Sequence, residues 1–191
     1  MTTTESRPTE PRRRGISIHR AADATNLEST DFMAEPDMSP DARAAVMRML
    51  EAGLGAGGDV KVLVRQTAAA GGFSLVHVWF KANYPLPRHS HDSDCLYYVV
   101  TGTAIMGGQT LYPGDSFFVP ADALYQYRAG PEGVEILEFR QGVDHFDIKI
   151  PDASPERWQA MADAAAANRE AWERETISPT FRSHHSPDRQ L

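Results

Sequence analysis

The sequence predicts an all-β fold, a barrel or sandwich of antiparallel strands with a helical arm before it and one helix after it. Two observations lead to this prediction. Between residues 60 and 150, short runs rich in Val, Ile, Tyr, Phe and Trp follow one another, and Gly, Pro or Asp separates many of them. Outside that region, residues 40–53 and 151–176 carry the start and stop signals of helices.

The composition fits one domain with short extensions. The chain has 191 residues, of which 41% are hydrophobic, so it can bury a core of its own. Its net charge of -7 argues against nucleic acid or an anionic membrane as the main partner. A single cysteine allows no disulfide within the chain, which favours a cytoplasmic location. No apolar run reaches the roughly 18 residues of a membrane span.

The N-terminal part is expected to be a tail followed by an arm. Residues 1–14 are rich in Thr, Pro, Arg and Glu, which predicts disorder, and they lack the apolar core of a signal peptide. The arm covers 15–59 and contains one helix at 40–53. Ser39 provides its N-cap and Pro40 suits its first turn, while a glycine-rich stretch ends it. We expect this arm to contribute packing or a lid.

The predicted barrel covers residues 60–150. Runs such as FSLVHVWFK, CLYYVVTG and GVEILEFR have the length and composition of strands, and GG and PGD mark turns between them. In GVEILEFR, Glu135 and Glu138 lie on opposite faces of the predicted strand. At most one of them can therefore face the barrel interior, and solvent or Arg140 is the expected partner.

A second helix is predicted at 151–176, followed by a flexible tail at 177–191. Ser154 caps this helix and Pro155 opens it. Four apolar residues follow at spacings of a single helical stripe: Trp158, Met161, Ala165 and Trp172. Such a stripe needs a large surface to bury it, either the outer wall of the barrel or a second subunit.

The stretch PRHSHDSDCLYYVVTG contains the residues with the clearest chemical potential. His89 and His91 are two positions apart, so on a strand their side chains point to the same side. Imidazole is a good ligand for Zn, Cu, Fe and Ni. The pair directly precedes a hydrophobic strand that ends at Gly102, so we expect both rings to point into the predicted barrel.

This region resembles the two sequence motifs of the cupin superfamily, with all spacings kept over residues 83–129. The first motif, G-x5-H-x-H-x3,4-E-x6-G, falls on Asn83, His89, His91, Cys95 and Gly102. The second, G-x5-P-x-G-x2-H-x3-N, falls on Gly114, Pro120, Asp122, Tyr125 and Ala129. The resemblance implies a small cupin jelly-roll barrel carrying the N-terminal helical arm and the C-terminal helix. Cupins commonly form homodimers, and the tryptophan-bearing stripe could supply the contact.

The resemblance also implies a metal site, which this chain changes in two places. Cupins usually bind their metal through two histidines and the glutamate of motif 1 and one histidine of motif 2. Here His89 and His91 are kept, Cys95 replaces the glutamate, and Tyr125 replaces the third histidine. If all four are ligands, the set is softer than usual and favours Zn or Cu, with Fe still open.

Two other interpretations of these residues stay open. The histidines could hold a metal with partial help only, leaving positions for substrate or oxygen, and His77 could add an imidazole if it points inward. Alternatively no metal binds, Cys95 is a small buried residue, and His89, His91 and Tyr125 bind a small molecule or transfer protons. Some cupin sugar epimerases use a histidine and a tyrosine in this way. Tyr125 and His77 are thus the candidate catalytic residues.

The predicted function is that of a cupin-type, metal-dependent enzyme acting on a small molecule. The chemistry would be of the oxygenase, isomerase or lyase type, and His89 and His91 would hold a divalent transition metal, Zn, Fe or Cu. The alternative is a binding or sensing protein that uses the barrel as a ligand cup, without metal or turnover. The expected partners are a small molecule and a second copy of the chain, with neither nucleic acid nor membrane.

Overall fold

The computed structural model describes residues 15–182. The predicted tail at 1–14, and residues 183–191 of the predicted tail at 177–191, lie outside this range. Within this range the strands occupy more of the chain than the α-helices do. No helix in this part of the chain is long and apolar enough to cross a membrane.

Seven antiparallel strands form one sheet. The strands are β1 (Thr25–Asn26), β2 (Gly58–Arg65), β3 (Phe73–Phe80), β4 (Cys95–Met106), β5 (Gln109–Leu111), β6 (Ser116–Val119) and β7 (Arg128–Gln141). Their order is β1-β2-β3-β7-β4-β5, and β6 also pairs with β4. The predicted all-β class is therefore confirmed by the sheet itself.

The central strand β7 sets which side chains face inward. Ile136 lies opposite Val78 of β3 and Val99 of β4, and all three side chains are buried. Cross-strand partners share a face of the sheet, whereas the next residue along each strand points to the other face. His77 and Leu137 are such neighbours, and both lie on the outer face. This alternation decides which of the predicted site residues reach the interior.

Two motif positions that are glycine in the cupin pattern keep a left-handed backbone here. Asn83 has φ 59° and Asp122 has φ 62°, and they are the positive-φ residues other than glycine in the described chain. Asn and Asp tolerate this conformation better than other side chains do. At Gly102, where φ is 69°, a Cβ atom would overlap the carbonyl oxygen of Gly133. The register of both motifs is thus visible in the backbone.

The two longer helices begin at the predicted caps. Helix α1 spans Pro40–Glu51, and the Ser39 side chain accepts a hydrogen bond from the Ala42 amide at 3.1 Å. Helix α2 spans Pro155–Arg174, and Ser154 caps it through the Arg157 amide at 3.3 Å. Each cap satisfies one of the free amides of a first helical turn. The predicted ranges 40–53 and 151–176 extend only slightly beyond these helices.

The tryptophan stripe of α2 packs within its own chain. Trp172 is fully buried, and its indole donates to the Ala82 carbonyl at 2.9 Å. The Lys81 ammonium donates to the Trp172 carbonyl at 2.6 Å and to the Ala56 carbonyl at 2.8 Å. Trp158 is buried as well. Of the two surfaces expected for this stripe, the structure uses the protein's own core, so these tryptophans do not supply a subunit contact.

Residues 177–182, part of the predicted flexible tail at 177–191, pack against the outer face of the sheet. They include the short helix α3 (Pro179–Arg182). The Thr180 amide donates to a carboxylate oxygen of Glu135 at 2.9 Å, and the Thr180 hydroxyl bonds the other oxygen. The Phe181 ring stacks on His77 with 4.5 Å between centroids. This segment therefore covers a buried polar pair, which explains why it packs.

Candidate functional site

Backbone pairing brings His89 and Tyr125 together. The two residues form an antiparallel bridge in which the His89 amide donates to the Tyr125 carbonyl at 3.1 Å, and the reverse bond measures 3.0 Å. Directly paired residues place their side chains side by side. The two rings have centroids 4.4 Å apart. His89 of motif 1 and Tyr125 of motif 2 are thus adjacent in the structure.

A chain of hydrogen bonds ends on His89. Its Nδ1 lies 2.8 Å from the Pro87 carbonyl, which can only accept, so Nδ1 carries the proton of the neutral ring. Its Nε2 therefore accepts from the Tyr125 hydroxyl at 2.7 Å. Since that proton is committed, the Tyr97 hydroxyl donates to the Tyr125 oxygen at 2.5 Å. The result is a relay from Tyr97 through Tyr125 to His89.

His91 is oriented in the same way but keeps its second nitrogen available. Its Nδ1 donates to the Asp147 carbonyl at 2.7 Å, which leaves the lone pair on Nε2. Asp92 supports this arrangement, because its carboxylate accepts from the Asp147 amide at 2.8 Å. The His91 ring lies 4.9 Å from that of His89, centroid to centroid. Both histidines are almost completely buried, so the predicted inward orientation of the pair is present in the structure.

The histidines lie in the wall of a cavity of about 200 Å³ that is mostly apolar. Its polar groups are those of His89, His91, Tyr84, Tyr125, Tyr127 and Glu138. The remaining wall consists of Leu27, Met33, Val60, Val78, Phe80, Leu86, Pro87, Phe146, Ile148 and Ile150. Small-molecule sites typically combine an apolar wall with a few oriented polar groups. We call this space the histidine cavity.

Burial keeps the histidines and tyrosines of the cavity uncharged. It lowers the pKa of His89, and it lowers the pKa of His91 to about 4 with help from the positive charge of Arg140. Burial raises the pKa of the Tyr125 hydroxyl far above its ordinary value, and the carboxylate of Glu138 adds to this effect. At neutral pH the cavity thus presents neutral imidazoles and protonated phenols.

Glu138 and Arg140 form the charged pair of the interior. The Arg140 guanidinium donates to the Glu138 carboxylate through Nη1 at 2.7 Å, and the side chain of Arg140 is fully buried. The guanidinium also lies over the Phe146 ring, 4.1 Å from its centroid. Strand alternation predicted that at most one of Glu135 and Glu138 faces inward, and in the structure Glu138 does. The motifs gave no signal for this residue, since it lies outside them.

Two predicted site residues do not join the cavity wall. Cys95 is buried on β4, its Sγ lies 3.8 Å from the Leu96 carbonyl, and burial raises the pKa of its thiol to about 12. His77 lies on the outer face of the sheet, where its Nε2 is 3.4 Å from the Glu135 carboxylate. The inward orientation on which a catalytic or ligand role of His77 depended is therefore wrong.

The residues present do not assemble the predicted four-ligand metal site. In residues 15–182, no group of three or more His, Cys, Asp or Glu side chains is arranged to hold an ion. Burial favours the protonated forms of Cys95 and Tyr125, and a metal requires their anions. The Tyr125 hydroxyl is already engaged by His89 and Tyr97. Only the two imidazoles suit a metal.

A larger cavity of about 600 Å³ lies elsewhere and contains no histidine. Its wall combines strand ends with neighbouring turns: Gly71, Gly72, Phe73, Asp94, Leu96, Phe118, Phe139, Arg140 and Gln141. Leu96 and Phe118 are exposed side chains of the outer face. We call it the outer cavity. It offers no proton-transfer group comparable to the histidine pair.

No family model and no curated protein matches the chain. Among solved structures, KdgF from Halomonas sp. is similar at 22% identity, with 46% of this chain and 82% of that chain covered and a TM-score of 0.40. An RmlC-like cupin from Shewanella frigidimarina NCIMB 400 is similar at 24% identity, with 47% and 79% covered and a TM-score of 0.39. The polyketide cyclase RemF from Streptomyces resistomycificus is similar at 16% identity, with 58% and 82% covered and a TM-score of 0.43.

At TM-scores below 0.5, these similarities carry no argument about this chain. The fold is evident in the chain itself. Its antiparallel sheet joins two motif segments in register, and both non-glycine motif positions keep the left-handed backbone. The predicted cupin resemblance thus holds at the level of the fold, and the chain has a cupin-type fold.

Proposed function

We propose that the chain is a cupin-type enzyme that transfers a proton on a small molecule bound in the histidine cavity. The observation that carries this proposal is the relay from Tyr97 through Tyr125 to His89, which ends beside the available Nε2 of His91. Acid–base catalysis needs a donor and an acceptor held within reach of one bound molecule. The pair Tyr125 and His91 meets this requirement.

In this proposal His91 is the base and Tyr125 is the hydrogen-bond donor. The neutral Nε2 of His91 takes a proton from the bound molecule, and the Tyr125 hydroxyl turns from His89 towards the oxygen on which negative charge develops. The imidazolium of His91 then returns the proton to another atom of the molecule, so the net reaction is an isomerisation or an elimination. The apolar wall strengthens both interactions, because little water competes for the polar groups.

The proposal is tested by hydrogen exchange with solvent. The untagged protein is incubated in D2O with a set of small carbonyl compounds that carry an acidic C–H bond, and ¹H NMR follows the loss of each C–H signal. Exchange should fall by about 10²-fold or more in His91→Gln and in Tyr125→Phe. His145→Gln changes an exposed histidine and serves as the control. Exchange that persists in both cavity variants would disprove the assigned roles.

A second candidate function is metal-dependent catalysis with a divalent transition metal, Zn, Fe or Cu, held by His89 and His91. It is favoured by one observation. Both Nδ1 atoms are engaged by backbone carbonyls, at 2.8 and 2.7 Å, so an ion would bind the two Nε2 atoms and would displace the Tyr125 hydroxyl from that of His89. The bound molecule would have to complete the coordination, since Cys95 and Tyr125 fit poorly.

Elemental analysis separates the two candidates. Protein purified without a histidine tag is assayed for first-row metals, alongside His89→Ala, His91→Ala and Tyr125→Phe. A stoichiometric metal that disappears in both histidine variants would establish the second candidate, and unchanged occupancy in Tyr125→Phe would show that the phenol is not a ligand. Exchange activity in protein with less than one metal per ten chains would favour proton transfer by the side chains alone.

A further inference from the structure

Three polar groups in the wall of the histidine cavity are left without a hydrogen bond. They are Nε2 of His91 and the hydroxyls of Tyr84 and Tyr127, which no hydrogen bond joins to another described residue. The other polar side chains of the wall already have partners. A molecule bound in this cavity therefore meets one free acceptor and two free donors.

These three groups reach the open space of the cavity. His91, Tyr84 and Tyr127 are all buried residues that line it. Their free atoms are nevertheless not enclosed by protein, unlike the unpaired hydroxyls of Ser74 and Ser93. The free nitrogen and the two free hydroxyls are thus available to a bound molecule. In a mostly apolar cavity, a few such groups fix the orientation of the ligand.

The cavity carries no net charge. Burial lowers the pKa of His91 to about 4, and it raises the pKa of Tyr84 and Tyr127 well above the ordinary value. The Glu138 carboxylate is balanced by the Arg140 guanidinium at 2.7 Å. An ionic group of a ligand would leave water here without a counter-charge, which costs free energy. The cavity therefore favours a neutral ligand.

The size of the cavity fits a single ring. Its volume is about 200 Å³, and an apolar cavity of about 150 Å³ in another protein holds benzene. The wall includes the rings of Phe80, Tyr84, Tyr127 and Phe146, which offer apolar surface to such a ring. A sugar fits poorly, because most of its hydroxyl groups would lose their hydrogen bonds to water against this wall.

Tyr127 is the free donor beside the proposed catalytic tyrosine. It follows Tyr125 by two positions, and the two rings are stacked with 6.5 Å between centroids. The Tyr125 hydroxyl already bonds His89 at 2.7 Å, so Tyr127 is the neighbour whose proton is free for a ligand. The Tyr84 ring instead stacks on Phe80, with 4.3 Å between centroids. A carbonyl oxygen accepts a bond from a phenol, whereas a hydrocarbon of the same shape does not.

We propose that the histidine cavity takes a neutral carbonyl compound the size of a single ring, and that Tyr127 is the residue that recognises its carbonyl group. This inference rests on the proposed function, because the same carbonyl group makes the neighbouring C–H bond acidic enough for His91 to act on. The Tyr127 hydroxyl donates to one lone pair of the carbonyl oxygen, and the Tyr125 hydroxyl donates to the other as negative charge develops.

The test on the wild-type protein compares ligands of similar size and different charge. Cyclohexanone, the anion cyclohexanecarboxylate and the sugar xylose are titrated against the untagged protein, and ligand-observed NMR measures each dissociation constant. Cyclohexanone should bind about tenfold or more tightly than the anion and the sugar. If cyclohexanone does not bind, or if either of the others binds as tightly, the inference is wrong.

The role of Tyr127 is tested by removing its hydroxyl alone. Tyr127→Phe keeps the packed ring and should weaken binding of cyclohexanone by about fivefold. It should leave unchanged the binding of methylenecyclohexane, in which CH₂ replaces the oxygen. Tyr112→Phe changes an exposed tyrosine outside the cavity and is the matched control. Equal weakening of both compounds, or a loss that appears in Tyr84→Phe instead, would refute the role of Tyr127.

Two further variants test the location of the bound molecule. Ile148→Trp narrows the histidine cavity and should abolish binding of cyclohexanone. Leu96→Trp fills the outer cavity and should leave that binding unchanged. The reverse pattern would show that the ketone binds in the outer cavity and would overturn the inference.

Failure of this inference can be told apart from failure of the proposed function. Binding does not require proton transfer, so His91→Gln should still bind cyclohexanone although it no longer exchanges the C–H bonds beside the carbonyl group. If cyclohexanone binds selectively but exchanges equally fast in His91→Gln, the substrate class stands and the catalytic roles fall. If exchange depends on His91 but is equally fast for the anion 4-oxocyclohexanecarboxylate, the catalytic roles stand and the substrate class falls.

Discussion

Replacing His91 with glutamine should flatten the pH dependence of stability between pH 6.5 and 4. Burial lowers the pKa of this histidine from an ordinary 6.5 to about 4 in the folded protein. Between these values the unfolded chain binds a proton that the folded chain does not, so the free energy of unfolding falls as the pH falls. At about 1.4 kcal/mol per pH unit, the total loss is about 3 kcal/mol. Below pH 4 both states are protonated and this contribution is constant.

The measurement is chemical unfolding followed by tryptophan fluorescence at several pH values from 7.5 to 4, with EDTA present to remove metal. Wild type should lose more stability over this range than His91→Gln, and the difference should approach 3 kcal/mol. His89 acts in the same direction, because burial lowers its pKa too, so the variant keeps a smaller slope. His145→Gln should behave as wild type. Identical slopes for wild type and His91→Gln would show that His91 is not buried in a neutral form.

Three further predictions follow from the fold. In denaturant unfolding, Gly102→Ala should destabilise the protein by about 2 kcal/mol more than Gly107→Ala does. Both positions have positive φ, but only at Gly102 would a Cβ atom overlap the backbone. Trp172→Ala should cost about 3 to 5 kcal/mol, because the side chain is completely buried, and equal melts would contradict its packing role. The Cys95 thiol, whose pKa burial raises to about 12, should resist a thiol reagent at pH 8 in the folded protein and react fully in denaturant; equal rates would refute its burial.

The sequence alone predicted those features whose position depends on the spacing of neighbouring residues. His89 and His91 share a face because strand side chains alternate, and the motif positions His89 and Tyr125 pair in a bridge. The helix caps at Ser39 and Ser154 were equally predictable, because one side-chain oxygen at the helix start satisfies free amides. These features depend on a few neighbouring residues and not on how the sheet closes.

The remaining features depend on tertiary contacts that no local pattern contains. Alternation showed that Glu135 and Glu138 face opposite ways, but not which one faces inward, because that depends on the side of the sheet that closes. The same uncertainty misplaced His77, which lies on the outer face with Glu135. Thr180 was assigned to a tail, since nothing in its own sequence context reveals that its amide will bond a buried carboxylate 45 residues earlier in the chain.

The left-handed backbone at Asn83 and Asp122 has a consequence for recognising distant relatives of this protein. A signature that demands glycine at those two sites tests for the residue, whereas the fold demands a dihedral angle that a short amide or carboxyl side chain also adopts. Exchanging glycine, asparagine and aspartate at these two positions therefore changes the backbone conformation little. Chains that carry asparagine or aspartate there can close the same turns while escaping any pattern written in glycines.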